Sequence, residues 1–204
     1  MIRVLLAFLA LVGAAVSASA QEPVRALLFS HSTGFRHASI EPGIAAIRAM
    51  AEREGIALTA SEDPAAFDGA ALAGYKILIL LNTTTDRRRT ETEWFVGARR
   101  EALQAFLRRG GGVVAIHAAA DSHHNWPWYR RMIGGIFARH PTGTPEAALR
   151  RIDGAHPAAR AFPAEFRRTD EYYYFDDLDP TIRPLITFDP ASIGEADPGF
   201  AGKP

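Results

Sequence analysis

The sequence predicts an α/β domain built on a parallel β-sheet with helices on both of its faces. Short, largely apolar runs recur along the first half of the chain, as expected of strands that are buried on both faces. Amphipathic helical patterns alternate with these runs, which favours parallel strands joined by right-handed crossovers. The chain has 204 residues, enough for one sizeable domain of this class.

Four segments of the first half are predicted as strands, because each is largely apolar and lies between polar or glycine-containing loops. They are Val24–Ser30, Ile56–Ala60, Tyr75–Leu81 and Val113–His117. The strongest is YKILILL at Tyr75–Leu81, whose long apolar run is typical of a strand covered by helices on both sides.

The first helix is predicted over Ile40–Glu54. Its apolar residues recur at spacings of four, three and four, which places them on one helical face. These residues are Ile40, Ile44, Ile47 and Ala51. Ser39 is expected to cap the start of the helix, and Gly55 is expected to end it.

A second helix is predicted from Thr90 to Arg109. Thr90 and Glu93 have the spacing of a capping box, and a run of glycines follows Arg109. The side chains expected to face the core are Phe95, Ala98, Ala102, Leu103, Phe106 and Leu107.

The pattern becomes less regular after His117. Trp126–Ile133 is predicted as a short helix that two glycines end. Further strands are predicted at Ala147–Ile152, Arg167–Phe175 and Pro184–Phe188.

Residues 1–20 are predicted to be a signal peptide. Arg3 precedes an apolar stretch, Val4–Val16, and the small residues of Ala18–Ala20 form a cleavage pattern. The apolar stretch is short for a membrane anchor, which is the alternative interpretation. We therefore expect cleavage after Ala20, a single mature domain over residues 21–204, a periplasmic or secreted location and no membrane association after cleavage.

The composition excludes several classes of function. The 23 basic and 23 acidic residues cancel, so no overall field favours a nucleic-acid partner. The chain has no cysteine, which excludes disulfides and a cysteine nucleophile. No GxSxG motif is present, and His117 stands where an α/β-hydrolase would carry its nucleophile.

Polar residues follow three of the predicted strands. Because the carboxyl ends of parallel strands share one edge of a sheet, these residues are expected to line a single crevice. They are His31, Ser32, Thr33, Arg36 and His37 after the first strand, Asn82–Asp86 after the third, and His117 and Asp121 after the fourth.

The residues of this edge leave three kinds of chemistry open. The segments Ser32–Gly34 and Asn82–Thr85 resemble loops that bind phosphate or flavin. Histidines and carboxylates suit a divalent metal such as zinc, or acid–base catalysis without one. The aromatic runs Trp126–Tyr129 and Tyr172–Tyr174 are either platforms for sugar rings or parts of the core.

Four stretches in this order resemble the ThuA-like (trehalose-utilisation) family. They are GFRHASI at Gly34–Ile40, RGGGVVAIHAAAD at Arg109–Asp121, NWPWYRRMIGGIFARHP at Asn125–Pro141 and HPAARAFPAEFRRTDEYYYF at His156–Phe175. The resemblance implies a flavodoxin-like fold related to class I glutamine amidotransferases. Amidotransferase activity is not expected, because His117 replaces the cysteine of those relatives.

The resemblance also implies a role in the catabolism of trehalose, other disaccharides or keto-sugars. Its recurrent polar positions fall on His37, His117, Asp121, His140, Asp170 and Glu171. Family domains continue with a further pair of strands and commonly occur within larger exported proteins. The resemblance therefore implies that the chain lacks its last strands and that other domains of a larger exported protein are its partners.

These considerations lead to one set of assignments. The predicted catalytic residues are His37, His117, Asp121 and Glu171, with Asp121 orienting a histidine. A divalent metal, zinc or manganese, is expected on His37, His117, His140 and Glu171. A small-molecule sugar is expected to contact Arg36, Asn82, Thr83, Thr84, Trp128 and Tyr172. The alternatives are a non-catalytic carbohydrate-binding or interaction domain and a flavodoxin-like phosphate or flavin binder.

Overall fold

A parallel four-stranded sheet forms the centre of the molecule in the computed structural model, which describes residues 22–194. Its strands are β1 (Arg25–Phe29), β2 (Ala57–Ser61), β3 (Ile77–Leu81) and β4 (Gly112–Ile116), in the order β2-β1-β3-β4. All four predicted strands are confirmed within a residue or two at each end. The predicted signal peptide and its cleavage site lie outside the described residues.

Helices cover both faces of this sheet. They are α1 (Ile40–Arg53), α2 (Ala98–Arg108) and α3 (Pro127–Ile133). On one face Leu27 of β1 belongs to a core cluster with Phe106 of α2 and Tyr129 of α3. On the other face Leu28 packs with Ile47 of α1. The predicted α/β class is thereby confirmed, and none of the helices in this part of the chain has the length and hydrophobicity needed to cross a membrane.

The prediction that the second helix begins at Thr90 is wrong. Thr90–Thr92 forms a single 3-10 turn, and α2 begins only after Gly97, whose φ of 50° interrupts the helix. The intervening Trp94 and Phe95 are both buried in the core. Consecutive residues of a helix point about 100° apart, so an irregular backbone lets two adjacent large rings fill the same core.

Two small antiparallel sheets follow the parallel one. Their strands are β5 (Ile136–Arg139), β6 (Glu146–Arg151), β7 (Glu165–Thr169), β8 (Tyr174–Asp176) and β9 (Ile186–Asp189), paired as β5-β8 and β7-β6-β9. The single strand predicted over Arg167–Phe175 is therefore two strands in different sheets, and β5 was not predicted. The break at residues 170–173 carries Glu171 and Tyr173 to the functional edge of the parallel sheet.

Candidate functional site at the carboxyl edge of the parallel sheet

Two histidines and a glutamate meet beyond the carboxyl ends of the parallel strands. Nε2 of His117 lies 3.0 Å from Oε2 of Glu171, and Nε2 of His37 lies 3.8 Å from the same oxygen. The two imidazole rings are 4.9 Å apart and nearly perpendicular. The structure therefore brings together three predicted site residues that are distant in the sequence.

Each member of this triad comes from a different connection. His37 lies in the loop between β1 and α1, and Glu171 lies in the break between β7 and β8. His117 begins the 3-10 turn that follows β4, with a φ of 50°. A left-handed backbone is uncommon for a residue other than glycine and is frequent at functional sites.

The triad has the donor set of a metal site. One ligand atom from each of His37, His117 and Glu171 lies within 4.8 Å of the other two. Two imidazoles and one carboxylate are donors that zinc accepts in catalytic sites. All three residues are half-buried, so the site is sheltered and still open to a small molecule.

His140 is near this triad without belonging to it. Its Nε2 lies 3.3 Å from Oε1 of Glu171, whereas His117 and His37 are nearest to Oε2 of the same carboxylate. Its Nδ1 is 2.7 Å from the carbonyl oxygen of Pro141. The expected fourth metal ligand is thus a neighbour of the carboxylate and is not grouped with the three donor atoms.

Tyr173 is the aromatic wall of the site, and the sequence assignments missed it. Its ring centroid lies 4.1 Å from that of His117 and 4.1 Å from that of Phe137. Burial raises the pKa of the Tyr173 hydroxyl, and the nearby Glu171 carboxylate raises it further. The hydroxyl therefore stays protonated at neutral pH and is a hydrogen-bond donor beside the carboxylate.

Tyr172, which was assigned to the substrate, faces a different part of the molecule. Its hydroxyl donates to the carbonyl oxygen of Arg168 at 2.6 Å, and its ring packs 4.7 Å from Phe188 of β9. Tyr174 also packs on Phe188. Neighbouring side chains of an extended segment point to opposite sides, so only the middle tyrosine of the three reaches His117.

Burial also affects the titration of His117. Burial lowers the pKa of its imidazole, the nearby His37 lowers it further, and Glu171 acts in the opposite direction. The net shift is downward, so the neutral imidazole predominates at neutral pH. A neutral ring has a lone pair that can bind a metal or accept a proton.

Asp121 was predicted to orient a histidine, and the histidine that its carboxylate contacts is His124. Oδ1 of Asp121 lies 2.9 Å from Nε2 of His124 and accepts hydrogen bonds from Nε and Nη2 of Arg87 at 3.1 and 3.0 Å. The guanidinium of Arg87 also lies over the ring of Phe137. Asp121 thus belongs to a charged cluster at the rim of the site.

Arg36 and Trp128 are occupied by other contacts. The guanidinium of Arg36 donates to both carboxylate oxygens of Glu62, at 3.0 and 2.9 Å, and to Glu41 at 2.7 Å. Trp128 stacks on Trp126 at 5.0 Å and packs against the main core cluster. The structure therefore does not bring either side chain to the triad.

The segment Asn82–Thr84 is buried and supports the loops of the site. The side-chain amide of Asn82 donates to Oγ of Ser39 at 2.9 Å, and its Oδ1 accepts from the backbone N–H of Ala118 at 3.4 Å. Ser39 makes no capping hydrogen bond to α1, contrary to the prediction. Because Asn82, Thr83 and Thr84 are almost fully buried, their side chains are not exposed to a substrate.

Four backbone N–H groups of the same loops already donate to carbonyl oxygens of the protein. The N–H groups of Thr33 and Gly34 donate to the carbonyl oxygen of Thr84, at 2.9 and 3.1 Å. Those of Thr84 and Thr85 donate to the carbonyl oxygens of Asn82 and Asp121. A phosphate-binding loop points such groups at the anion, so the contacts of these four residues oppose the flavodoxin-like binding alternative.

Comparisons with known proteins agree with this architecture. The fold is similar to that of a protein described as ThuA-like from Bacteroides uniformis ATCC 8492, with a TM-score of 0.69, 23% identity and coverage of 84% of this chain and 71% of that one. It is also similar to a ThuA-like protein from Parabacteroides merdae ATCC 43184, with a TM-score of 0.62, 18% identity and coverage of 82% and 68%. At these identities the likeness shows the fold alone.

The family itself is shown by a sequence model. No curated protein matches the chain. The model of the family described as ThuA, trehalose utilisation, matches residues 25–202, which is most of the sequence. The chain therefore belongs to the ThuA (trehalose-utilisation) family.

Proposed function

We propose that this ThuA domain is a metal-dependent enzyme that acts on trehalose, a related disaccharide or a keto-sugar. His37, His117 and Glu171 would hold one divalent cation, zinc or manganese. The observation that carries the proposal is the convergence of these three donors within 4.8 Å at the carboxyl edge of the sheet, where α/β folds bind ligands.

The surroundings of the triad support a cation. Oε2 of Glu171 lies 3.0 Å from Nε2 of His117 and 3.8 Å from Nε2 of His37, so one carboxylate oxygen is close to both rings. Nδ1 of His37 is buried and has no hydrogen-bond partner. Buried polar atoms without a partner are rare, and an ion or a water bound at the site is one explanation for them.

The chemistry divides between the cation and the chain. A bound divalent cation polarises a carbonyl oxygen or lowers the pKa of a bound water. Tyr173 would donate its hydroxyl hydrogen to a substrate oxygen, because its ring lies on His117 beside the carboxylate. His140 would steady Glu171 through the oxygen that does not face His117. Without a cation, the same imidazoles and carboxylate would act as general acid and base.

A carbohydrate substrate is supported by the family description, trehalose utilisation. A small-molecule sugar also fits a half-buried site that carries both polar donors and aromatic rings. The leader-like pattern of residues 1–20 supports action outside the cytoplasm. We therefore extend the proposal to a periplasmic or secreted domain.

Metal analysis tests the proposal directly. The chain, purified without a histidine tag, should contain about one equivalent of zinc or manganese by mass spectrometry. His37→Ala and Glu171→Gln should lose it, whereas the control His156→Ala should retain it, because His156 lies on a loop that contacts Asp153 and Ala158. A wild-type protein that binds neither metal would contradict the metal part of the proposal.

Removal of His117 separates an enzyme from a binding domain. In an enzyme, His117→Ala abolishes turnover of trehalose or of a keto-disaccharide while the fold survives. In a non-catalytic domain, the affinity for the same sugar barely changes. Circular dichroism of the variant provides the control for folding.

A further inference from the structure

Phe35 is an exposed ring beside the metal-ligand triad. Its side chain is 71% exposed, the highest value among the large apolar residues of the part of the chain that the structure describes. The ring lies 4.9 Å from that of His37 and meets it edge to face. An apolar ring that is open to water and contacts a residue of the candidate site is available to a ligand bound there.

The loop that carries Phe35 is held firmly. The backbone carbonyl of Phe35 accepts a hydrogen bond from Oγ of Ser32 at 3.1 Å. The preceding Gly34 donates its N–H to the carbonyl oxygen of Thr84 at 3.1 Å and packs so closely that a Cβ would lie 2.9 Å from the carbonyl carbon of Thr85. The exposure of Phe35 is therefore a property of an ordered loop, and a ligand would find the ring already in place.

Phe35 is one end of a continuous arc of rings. It contacts His37, which contacts His117 at 4.9 Å; His117 contacts Tyr173 at 4.1 Å, and Tyr173 contacts Phe137 at 4.1 Å. The triad lies in the middle of this arc. Phe35 extends the series of ring contacts by one ring beyond His37.

We propose that Phe35 is a stacking platform for a second ring of the substrate, next to the ring that reacts at the triad. Phe35 has no polar atom, so it selects the apolar C–H face of a pyranose or the face of a flat aglycone. Because His37 is the triad ring that Phe35 contacts, the ring that Phe35 holds is a neighbour of the reacting ring. The substrate is then a disaccharide or glycoside rather than a monosaccharide, and this inference rests on the proposed function.

Two sugars that differ by one pyranose ring test this assignment. Trehalose, with two pyranose rings, and methyl α-glucoside, with one, are titrated into wild type and Phe35→Ala by calorimetry. Phe35→Ala should weaken the binding of trehalose about tenfold and that of methyl α-glucoside less than about twofold. One ring contact contributes roughly the energy of a tenfold change in affinity. Phe35→Trp should retain the affinity for trehalose. The matched control is Phe162→Ala, which removes an exposed ring that stacks on Phe166 elsewhere in the molecule.

The outcomes separate this inference from the proposed function. If Phe35→Ala changes the affinity for both sugars equally, or for neither, the assignment of Phe35 as a platform is overturned. Metal content should stay at about one equivalent in Phe35→Ala, because Phe35 is not a ligand. If the wild-type protein contains no metal but Phe35→Ala still weakens the binding of trehalose more than that of methyl α-glucoside, the metal proposal fails and the platform stands. If wild type binds neither sugar, the platform and the carbohydrate function both fail.

Discussion

His123 makes a specific prediction about stability and pH. Its side chain is fully buried. The backbone N–H of Phe95 donates to its Nε2 at 3.1 Å, so the ring proton is on Nδ1 and is donated to Oγ of Ser122 at 2.7 Å. Burial is the main cause that lowers the pKa of His123 to about 3, with Arg100 and then His124 lowering it further.

The direction of the pH effect on stability follows from the protonation of His123 in the folded and the unfolded chain. The unfolded chain takes up a proton at His123 below about pH 6.5, whereas the folded protein does not until near the folded pKa of about 3. The contribution of His123 to stability is therefore complete above pH 6.5 and is lost progressively as the pH falls from 6.5 towards 3. Because pH 5 lies about 1.5 units below the ordinary histidine pKa, the free energy of unfolding at pH 5 is lower by about 2 kcal/mol.

Urea unfolding of wild type and His123→Gln at pH 7.5 and pH 5.0 measures this loss. Glutamine does not titrate and can still accept the hydrogen bond from the backbone of Phe95. The free energy of unfolding of wild type should fall by about 2 kcal/mol more than that of the variant. Equal losses in the two proteins would refute the argument. If the variant does not fold, histidine NMR of wild type decides, because a His123 ring that becomes protonated near pH 6 would refute it equally.

Two further predictions concern the site and the loop that supports it. Tyr173→Phe keeps the ring on His117 and removes the hydroxyl, so turnover should fall by about 10²-fold while metal content and fold are unchanged; unchanged turnover would remove Tyr173 from the chemistry. Gly34→Ala should destabilise the fold by about 1–3 kcal/mol in urea unfolding, because its Cβ would lie 2.9 Å from backbone of Thr85. If the free energy of unfolding falls by less than about 0.5 kcal/mol, the loop accommodates the added Cβ by a small shift.

The gathering of His37 and His117 follows from topology that the sequence already indicates. Apolar runs separated by helical patterns predict parallel strands, and the carboxyl ends of parallel strands share an edge. Glu171 arrives by another route, from a break between two antiparallel strands. The run Arg167–Phe175 looks like one strand because Tyr172–Tyr174 favours a strand and no glycine or proline marks the break. The same break hides that Tyr173 faces the site.

The sequence does not distinguish polar residues that bind a ligand from those that support the loops at this edge. A polar side chain beside a strand end can face a ligand or satisfy a neighbouring backbone group, and its residue type is the same in both cases. Asn82 uses both ends of its amide internally, on Ser39 and Ala118. Arg36 is held by the carboxylates of Glu41 and Glu62, and Glu62, which is 26 residues away in the sequence, becomes its neighbour only in the folded chain.

Backbone strain is concentrated where the site is built. Three of the four non-glycine residues with positive φ in residues 22–194 are Asn82, His117 and His123, and all three lie in connections at the carboxyl edge of the sheet. Each such conformation costs on the order of 1 kcal/mol and persists only when its surroundings fix it. Asn82 and His123 are fixed by buried hydrogen bonds from the backbone N–H groups of Ala118 and Phe95. His117 is flanked by a strand that pairs with β3 and by Ala118, whose N–H is bonded to Asn82. The buried groups behind the edge therefore hold His117 in a conformation that it would not adopt alone, and that conformation directs its ring at Glu171.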